Sequence, residues 1–360
     1  MRKIAILGAT GSIGSTAIKT IRENNPGFVI TGLTSNRSRK VIDLAKEFSC
    51  SYFMTEEKSR DEIKEYISNL DADIVLNAIA GSDGLFATIC LIEAHIDIAL
   101  ANKESIVLGG NYIFSLAEKS GVRIIPVDSE HSCIYSLISA FSRENTRKLI
   151  ITASGGPFYK KSTENVSLED ALNHPTWKMG KKITIDSATL ANKGLEVIEA
   201  GYLFSFGAKD IKVSIHRQSI VHSLIELKNG AVYAQLTPPD MSLPIAAALS
   251  DGKIKLENIV SPLSFEDLTL TFSSWSKSEF PLLAAAYSCL ESKGAYPCVF
   301  NIADEVAVDA FISGRISFND ISRTVLKVLE KDYDVKNLSL EETDYLSSLV
   351  KEDTRKILDA

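Results

Sequence analysis

The chain has 360 residues, 45% hydrophobic and 24% charged, the balance of a soluble globular protein of two or three domains. That composition excludes wholesale disorder, a collagen-like repeat and a disulfide scaffold. With 39 basic against 46 acidic residues the net charge is −7, opposite to the basic surplus of a nucleic-acid binder, so anionic ligands must be met by local positive groups.

Met1-Arg2-Lys3 leads directly into the apolar run Ile4 to Leu7, so no signal core is expected, and no apolar run approaches membrane-spanning length. Further strands are expected at Phe28 to Leu33, Asp73 to Ala80, Ile96 to Ala101 and Val122 to Val127. Amphipathic stretches such as Ser38 to Phe48 and Glu57 to Asn69 supply helices between them. Continuous apolar strands alternating with helices predict a Rossmann-like, doubly wound α/β sheet. Gly8-Ala9-Thr10-Gly11-Ser12-Ile13-Gly14 follows the first strand and opens the first helix. Its glycines let backbone N–H groups approach a pyrophosphate at a helix N-terminus, so dinucleotide binding is expected.

An NAD site usually carries a carboxylate at the end of its second strand. Thr34-Ser35-Asn36-Arg37-Ser38-Arg39-Lys40 has none, and its hydroxyls and three cations suit a 2′-phosphate. NADPH is therefore the expected cofactor, with a solvated basic helix start as the plainer explanation. After the fifth strand, Asp128-Ser129-Glu130 sits where ligands of α/β sheets bind. In extended chain both carboxylates would face one way and could hold a hard divalent cation, although on this spacing alone a solvated loop is the better explanation.

A strand from Lys148 to Ile151 runs into Ser154-Gly155-Gly156-Pro157, a strong breaker. Residues 158–182 read as a long polar loop with a short helix. It carries His174, Trp177 and Met179, which are costly to leave wet; a closing lid or a minor apolar cluster would account for them. A helix is expected over 183–205, where Asn192 and Glu196 share a face and Ser187, Asn192 and Lys193 make a plausible phosphate cradle. On composition alone an ordinary solvated face, with Asp186 near its start, explains that helix better. Strands follow at Lys212 to Ile215, Ser219 to Leu227 and Ala231 to Leu236. Asn229-Gly230 signals a hairpin, so an antiparallel sheet is expected. Residues 251–276 read as a connecting segment and 277–360 as helices, with Leu282, Ala285, Ala286 and Leu290 on one face and Asp320 and Glu341 near helix starts. The cysteines at 50, 90, 133, 289 and 298 form no C-x-x-C pair and are expected as reduced, mostly buried thiols in a cytoplasmic protein.

Taken together, G-A-T-G-S-I-G, A-N-K-E (Ala101 to Glu104), P-V-D-S-E-H, S-G-G-P-F, H-P-T-W-K-M-G and D-S-A-T-L-A-N-K-G-L-E closely resemble the 1-deoxy-D-xylulose 5-phosphate reductoisomerase family of the non-mevalonate isoprenoid pathway, from Lys3 to roughly Leu329. The resemblance implies a homodimeric enzyme using NADPH and Mg²⁺ or Mn²⁺, with Co²⁺ a further candidate. Its ligand would be a sugar phosphate, with neither nucleic acid nor membrane as partner. It implies an NADPH-binding domain over 1–150 and a central α+β catalytic and dimerisation domain over 151–250 with a lid at about 155–182. A linker at 251–276 and a C-terminal helical bundle over 277–360 would complete it.

By motif, Asp128, Glu130 and Glu196 would be metal ligands, and Ser154, Ser187, Asn192 and Lys193 would hold the phosphate. Ser129 and His174 would line the substrate, Lys103 would reach its hydroxyls and the metal, and Trp177 and Met179 would close the lid. Gly8, Thr10, Gly11, Ser12, Ile13, Gly14, Asn36, Arg37, Asn102, Glu104 and Gly180 would meet NADPH. The implied chemistry is a metal-assisted retro-aldol and aldol rearrangement followed by hydride reduction to 2-C-methyl-D-erythritol 4-phosphate. Three positions depart from the family pattern: Asn36 where Gly is usual, Arg217 where Pro is common, and Asp304 where Asn is usual. A plain NADP-dependent reductase of another phosphorylated carbonyl compound, or a non-catalytic nucleotide sensor, would lack the need for three carboxylates beside Lys193.

Overall fold

The structure, a computed structural model, describes residues 1–24, 27–177, 179–333, 335 and 339–359. In chain order its elements are β1 (Arg2–Leu7), α1 (Ser12–Asn24), β2 (Phe28–Ser35), α2 (Lys40–Phe48), β3 (Ser51–Met54), α3 (Arg60–Ser68), β4 (Ile74–Asn77), α4 (Gly84–Glu93), β5 (Asp97–Leu100), α5 (Lys103–Ser120), β6 (Ile124–Pro126), α6 (Ser129–Phe141) and β7 (Thr146–Ala153). They continue with α7 (Leu168–Leu172), α8 (Lys181–Thr189), α9 (Ala191–Phe204), β8 (Ile211–Ile215), β9 (Val221–Leu227), β10 (Val232–Leu236), α10 (Ser242–Ser250), α11 (Pro281–Ser292), α12 (Tyr296–Ile312), α13 (Phe318–Leu329) and α14 (Leu340–Leu358). The chain divides into two units. The first comprises Met1–Ile106, Ile113–Tyr135 and Asp240–Leu263, and the second Val107–Tyr112, Ser136–Pro239 and Ser264–Ala360.

In the first unit the apolar runs become a parallel sheet of order β3-β2-β1-β4-β5-β6. Ile4, Ile6, Ile74, Leu76 and Ala99 are fully buried because helices cover the sheet. The strand order reverses at β1, which lies between β2 and β4, and ligands of such sheets bind at that switch point. Three elements lack a legible signal. The residues of β3, Ser51–Met54, are exposed or half-buried at the sheet edge, and α4 is buried around most of its surface, so neither shows an apolar-polar period. The third, α10, joins the first unit's core through Ile245, Ala248 and Leu249. Arg2 tethers it, donating to the carbonyls of Leu249 (2.6 Å) and Ser250 (2.7 Å).

The second unit is built on a sheet of order β10-β9-β7-β8. The expected hairpin is present, with Gly230 at φ +90° and β9 antiparallel to β10, but β8 pairs parallel with β7, so the sheet is mixed. The single helix expected over 183–205 is two, α8 and α9. Between them Leu190 adopts φ +56°, a left-handed conformation that a bulky residue keeps only when its surroundings over-determine it. Serine caps begin the last helices: Ser317 with Asp320 for α13, and Ser339 with Glu342 for α14. Residues 251–276 contain no helix, and their ladder contact among the described residues is the bridge Ile215↔Ser273. All five cysteines are thiols outside any disulfide, four of them buried, and burial pushes the Cys90 thiol up to about 11. Among the described residues no helix is long and apolar enough to cross a membrane.

Candidate active site

The glycine turn after β1 is shaped by close backbone approach. Gly8 has φ +79°, and a Cβ there would lie 2.6 Å from the Ala78 carbonyl oxygen. A Cβ on Gly14 would lie 2.3 Å from the Gly8 carbonyl oxygen, so only glycine lets α1 start against the turn. Thr34 at the end of β2 holds the turn, its Oγ1 accepting from the Gly8 N–H (3.1 Å) and its carbonyl from the Ala9 N–H (2.8 Å). Thr10 and Ile13 are half-buried, while Gly11 and Ser12 face solvent at the helix start.

Beyond Thr34, Asn36 and Arg37 are exposed, and Asn36 is not among the residues with positive φ, so it does not replace a glycine by conformation. Sequence order concealed a carboxylate here. Glu56, from the segment after β3, accepts from Arg37 Nε at 3.1 Å, with the two side chains 44% and 79% exposed. Such a pair is weak and readily exchanged for a stronger anion.

Asn102 caps α5 and is almost wholly buried. Its Oδ1 accepts from Ser105 N–H (2.8 Å), and its Nδ2 donates to the Gly81 carbonyl (2.8 Å) and to Glu104 Oε2 (2.8 Å). The side chain is thus spent within the protein, where it holds the loop before α4. Asn77 holds the same loop from β4 through Gly84 and Thr88 (3.0 and 2.9 Å). Nothing in the sequence pattern marked Asn77.

Lys103, at the start of α5, donates to Asp128 Oδ2 at 3.4 Å, with both side chains largely buried. The chain at Asp128 is not extended as the spacing argument assumed. Asp128 stands immediately before α6 and its Oδ1 accepts the N–H groups of Glu130 (3.0 Å) and His131 (3.2 Å), as a helix cap does. Glu130 is therefore in the first helical turn, hydrogen-bonded by Ser129 Oγ, and both carboxylates sit at a helix N-terminus that favours negative charge.

In the second unit the residues from 154 to 196 come together. Gly155 and Gly156 take φ +79° and +63°, and a Cβ on Gly156 would lie 2.6 Å from the Ser187 carbonyl oxygen, so the Ser154 turn lies directly on α8. His174 joins the two: its Nε2 is 3.0 Å from both Ser154 Oγ and Ser187 Oγ. Its Nδ1 accepts the N–H groups of Thr176 (3.1 Å) and Trp177 (2.9 Å), which leaves the ring proton on Nε2. Burial, followed by the charges of Arg217 and Lys193, pushes the imidazole down to about 4, so it is neutral at pH 7.

Along α9, Asn192 Nδ2 donates to Glu196 Oε1 at 2.6 Å and Lys193 Nζ to Glu196 Oε2; Lys193 and Glu196 are 5% and 1% exposed. The i, i+4 relation read from the sequence is thus a direct contact. Asp186 lies outside this group, bonded by Lys182 Nζ (2.6 Å), which also reaches buried Asp304 (3.0 Å). An aspartate at 304 thereby gains a cationic partner. Trp177 and Met179 are half-buried, Trp177 near the His222 ring (6.4 Å), and Gly180 precedes α8; Lys178 of the expected lid lies outside the described residues.

Protonating His174 would break its bonds from Thr176 and Trp177. Its folded pKa is depressed, so the unfolded chain binds more protons between about pH 4 and 6.5, and His174 stabilises the fold above that window and loses the contribution as pH falls through it. The His174→Gln variant should lose that part of the acid slope in a series of thermal melts from pH 7 to 4. An unchanged slope would mean that other groups set it.

Models of 1-deoxy-D-xylulose 5-phosphate reductoisomerase match residues 4–69 and 57–110, its C-terminal domain residues 124–204, and a DXP reductoisomerase C-terminal domain residues 236–353. A 1-deoxy-D-xylulose 5-phosphate reductoisomerase from Treponema denticola is 46% identical over 95% of this chain and 93% of its own length. One from Thermodesulfovibrio yellowstonii is 43% identical over 95% of both. The solved Zymomonas mobilis reductoisomerase in complex with NADPH is 33% identical, covers 100% of this chain and 99% of its own, and superposes with a TM-score of 0.91. A reductoisomerase in complex with NADPH, fosmidomycin and magnesium, also 33% identical, superposes at 0.89 and covers 100% and 98%.

Proposed function

Because the chain belongs to the 1-deoxy-D-xylulose 5-phosphate reductoisomerase family, we propose that the residues described above are its active site. The chain is an NADPH- and divalent-metal-dependent enzyme of isoprenoid precursor synthesis, converting 1-deoxy-D-xylulose 5-phosphate to 2-C-methyl-D-erythritol 4-phosphate. The observation that carries the site assignment is His174, which ties Ser154 and Ser187 into one polar cluster with its proton on Nε2.

In this reading Ser154, Ser187, Asn192 and Lys193 hold the substrate phosphate. The neutral His174 keeps both hydroxyls oriented without adding a charge, while the buried Lys193 ammonium supplies one. By family motif Asp128, Glu130 and Glu196 are the proposed metal ligands. Carboxylate oxygen is the donor type that a hard cation such as Mg²⁺ takes, with Mn²⁺ and Co²⁺ as alternatives. Bound there, the metal supplies Lewis-acid polarisation of the substrate's oxygens. Lys103 and Ser129 contact the substrate hydroxyls, and Trp177 and Met179 exclude water when the lid closes.

The glycine turn leaves no room for a Cβ, which fits a pyrophosphate seated on backbone N–H groups. NADPH supplies the hydride. Gly8, Thr10, Gly11, Ser12, Ile13, Gly14, Asn36, Arg37, Asn102, Glu104 and Gly180 are its proposed contacts. The domain limits at 150, 250 and 276 are part of the same proposal, as are a cytoplasmic location and a homodimer. The edge strand β10, which exposes Val232 and Tyr233, supports the dimer.

NADPH oxidation on addition of 1-deoxy-D-xylulose 5-phosphate is expected to require Mg²⁺ or Mn²⁺ and to stop in excess chelator; full turnover in chelator would overturn the metal assignment. Arg37 should read the 2′-phosphate, so Arg37→Ala weakens NADPH far more than NADH. Glu56 competes with that phosphate for Arg37, and an exposed pair is worth under about 1 kcal/mol, so Glu56→Gln should lower the KM for NADPH about two- to fivefold. A KM for NADPH that Glu56→Gln leaves unchanged would mean the pair does not compete.

A further inference from the structure

Arg217 lies in the turn between β8 and β9 and has no role in the site as assigned above. Its Nη1 donates to the carbonyls of Ser154 (2.8 Å) and Gly156 (2.6 Å), the two that bracket Gly155. The turn carrying Arg217 is itself fixed by fully buried His216. That imidazole donates from Nδ1 to the Thr271 carbonyl (2.9 Å) and accepts the N–H groups of Ile220 (3.2 Å) and Val221 (3.1 Å) at Nε2. The His216 N–H meets the Ala153 carbonyl at 2.7 Å. Arg217 is therefore held from both sides against the Ser154 turn.

One nitrogen suffices for the two carbonyls. The guanidinium has further N–H donors, and among the described residues they have no protein partner. The cation also acts on the His174 ring, as Lys193 does, so both charges bear on the imidazole between Ser154 and Ser187. A neutral donor would pin the turn as well. The full charge and the remaining donors suit an anion.

We propose that Arg217 is a second cation of the phosphate subsite, Nη1 fixing the Ser154–Gly156 turn while the rest of the guanidinium meets the substrate's phosphate dianion alongside Lys193. This rests on the assignment of Ser154, Ser187, Asn192 and Lys193 to that phosphate. It makes affinity for the phosphate end of the substrate a property of two separated elements, the β8–β9 turn and α9.

The test compares Arg217→Gln, which keeps an N–H donor without charge, with Arg217→Lys, which keeps the charge, and uses Lys193→Gln as reference. For each, KM and kcat for 1-deoxy-D-xylulose 5-phosphate are measured, with the KM for NADPH and competitive inhibition by inorganic phosphate. Arg217→Gln should raise both the substrate KM and the phosphate inhibition constant about tenfold or more, with a smaller change in kcat and none in the KM for NADPH. Arg217→Lys should recover most of the loss. If Gln matches the parent, or Lys is as impaired as Gln, Arg217 only shapes the turn and the proposal is overturned. If Lys193→Gln also leaves phosphate inhibition unchanged, the phosphate subsite itself has been misplaced.

Discussion

Glu196→Gln is expected to cut turnover by about a thousandfold while leaving NADPH affinity within a factor of two. Glu196 is 1% exposed and shares its two oxygens between Asn192 (2.6 Å) and Lys193. Glutamine fits the space but removes the charge that balances the buried ammonium and that a divalent cation needs. Loss of a metal's charge stabilisation is worth several kcal/mol, and each ~1.4 kcal/mol is tenfold in rate. The apo-protein should also melt earlier, since removing one partner of a buried pair leaves the other uncompensated. Steady-state rates across a Mg²⁺ titration, with NADPH binding followed separately, check this. Retention of more than a tenth of the activity at saturating metal would remove Glu196 from the ligand set.

The second large effect is expected from Gly8→Ala. The new Cβ would stand 2.6 Å from the Ala78 carbonyl oxygen at φ +79°, so both the backbone conformation and the neighbouring chain oppose it. Strain and overpacking together should cost about 2–4 kcal/mol and displace the turn, raising the KM for NADPH about tenfold or more. Gly207→Ala is the control: φ is −78° and nothing lies within 4 Å of the added carbon. Thermal melts and NADPH titrations of the two variants should differ sharply. Equal behaviour would mean the turn relaxes without loss.

Local signals carried much of the molecule. The glycine spacing placed the β1–α1 turn, the apolar runs placed most strands of the first sheet, and the i, i+4 relation of Asn192 and Glu196 anticipated their hydrogen bond. Signals failed where an element has no amphipathic period. Short half-exposed β3 and nearly all-buried α4 are examples. They failed again where backbone geometry overrode pattern, as at Leu190, whose left-handed φ breaks one expected helix into two.

By itself the sequence determined the fold class, the cofactor turn, the family and the residue types able to hold a phosphate and a cation, because these rest on periodicity, glycine positions and motifs contiguous along the chain. Only the tertiary structure decided who partners whom. It set Glu56 against Arg37, placed Asp128 at the cap of α6 and not in extended chain, closed His174 onto Ser154 and Ser187, and brought Arg217 to the Ser154 turn. Those pairings join segments 13 to 63 residues apart or depend on where a helix begins. Hydrogen bonds of that kind follow from packing, which no local period records.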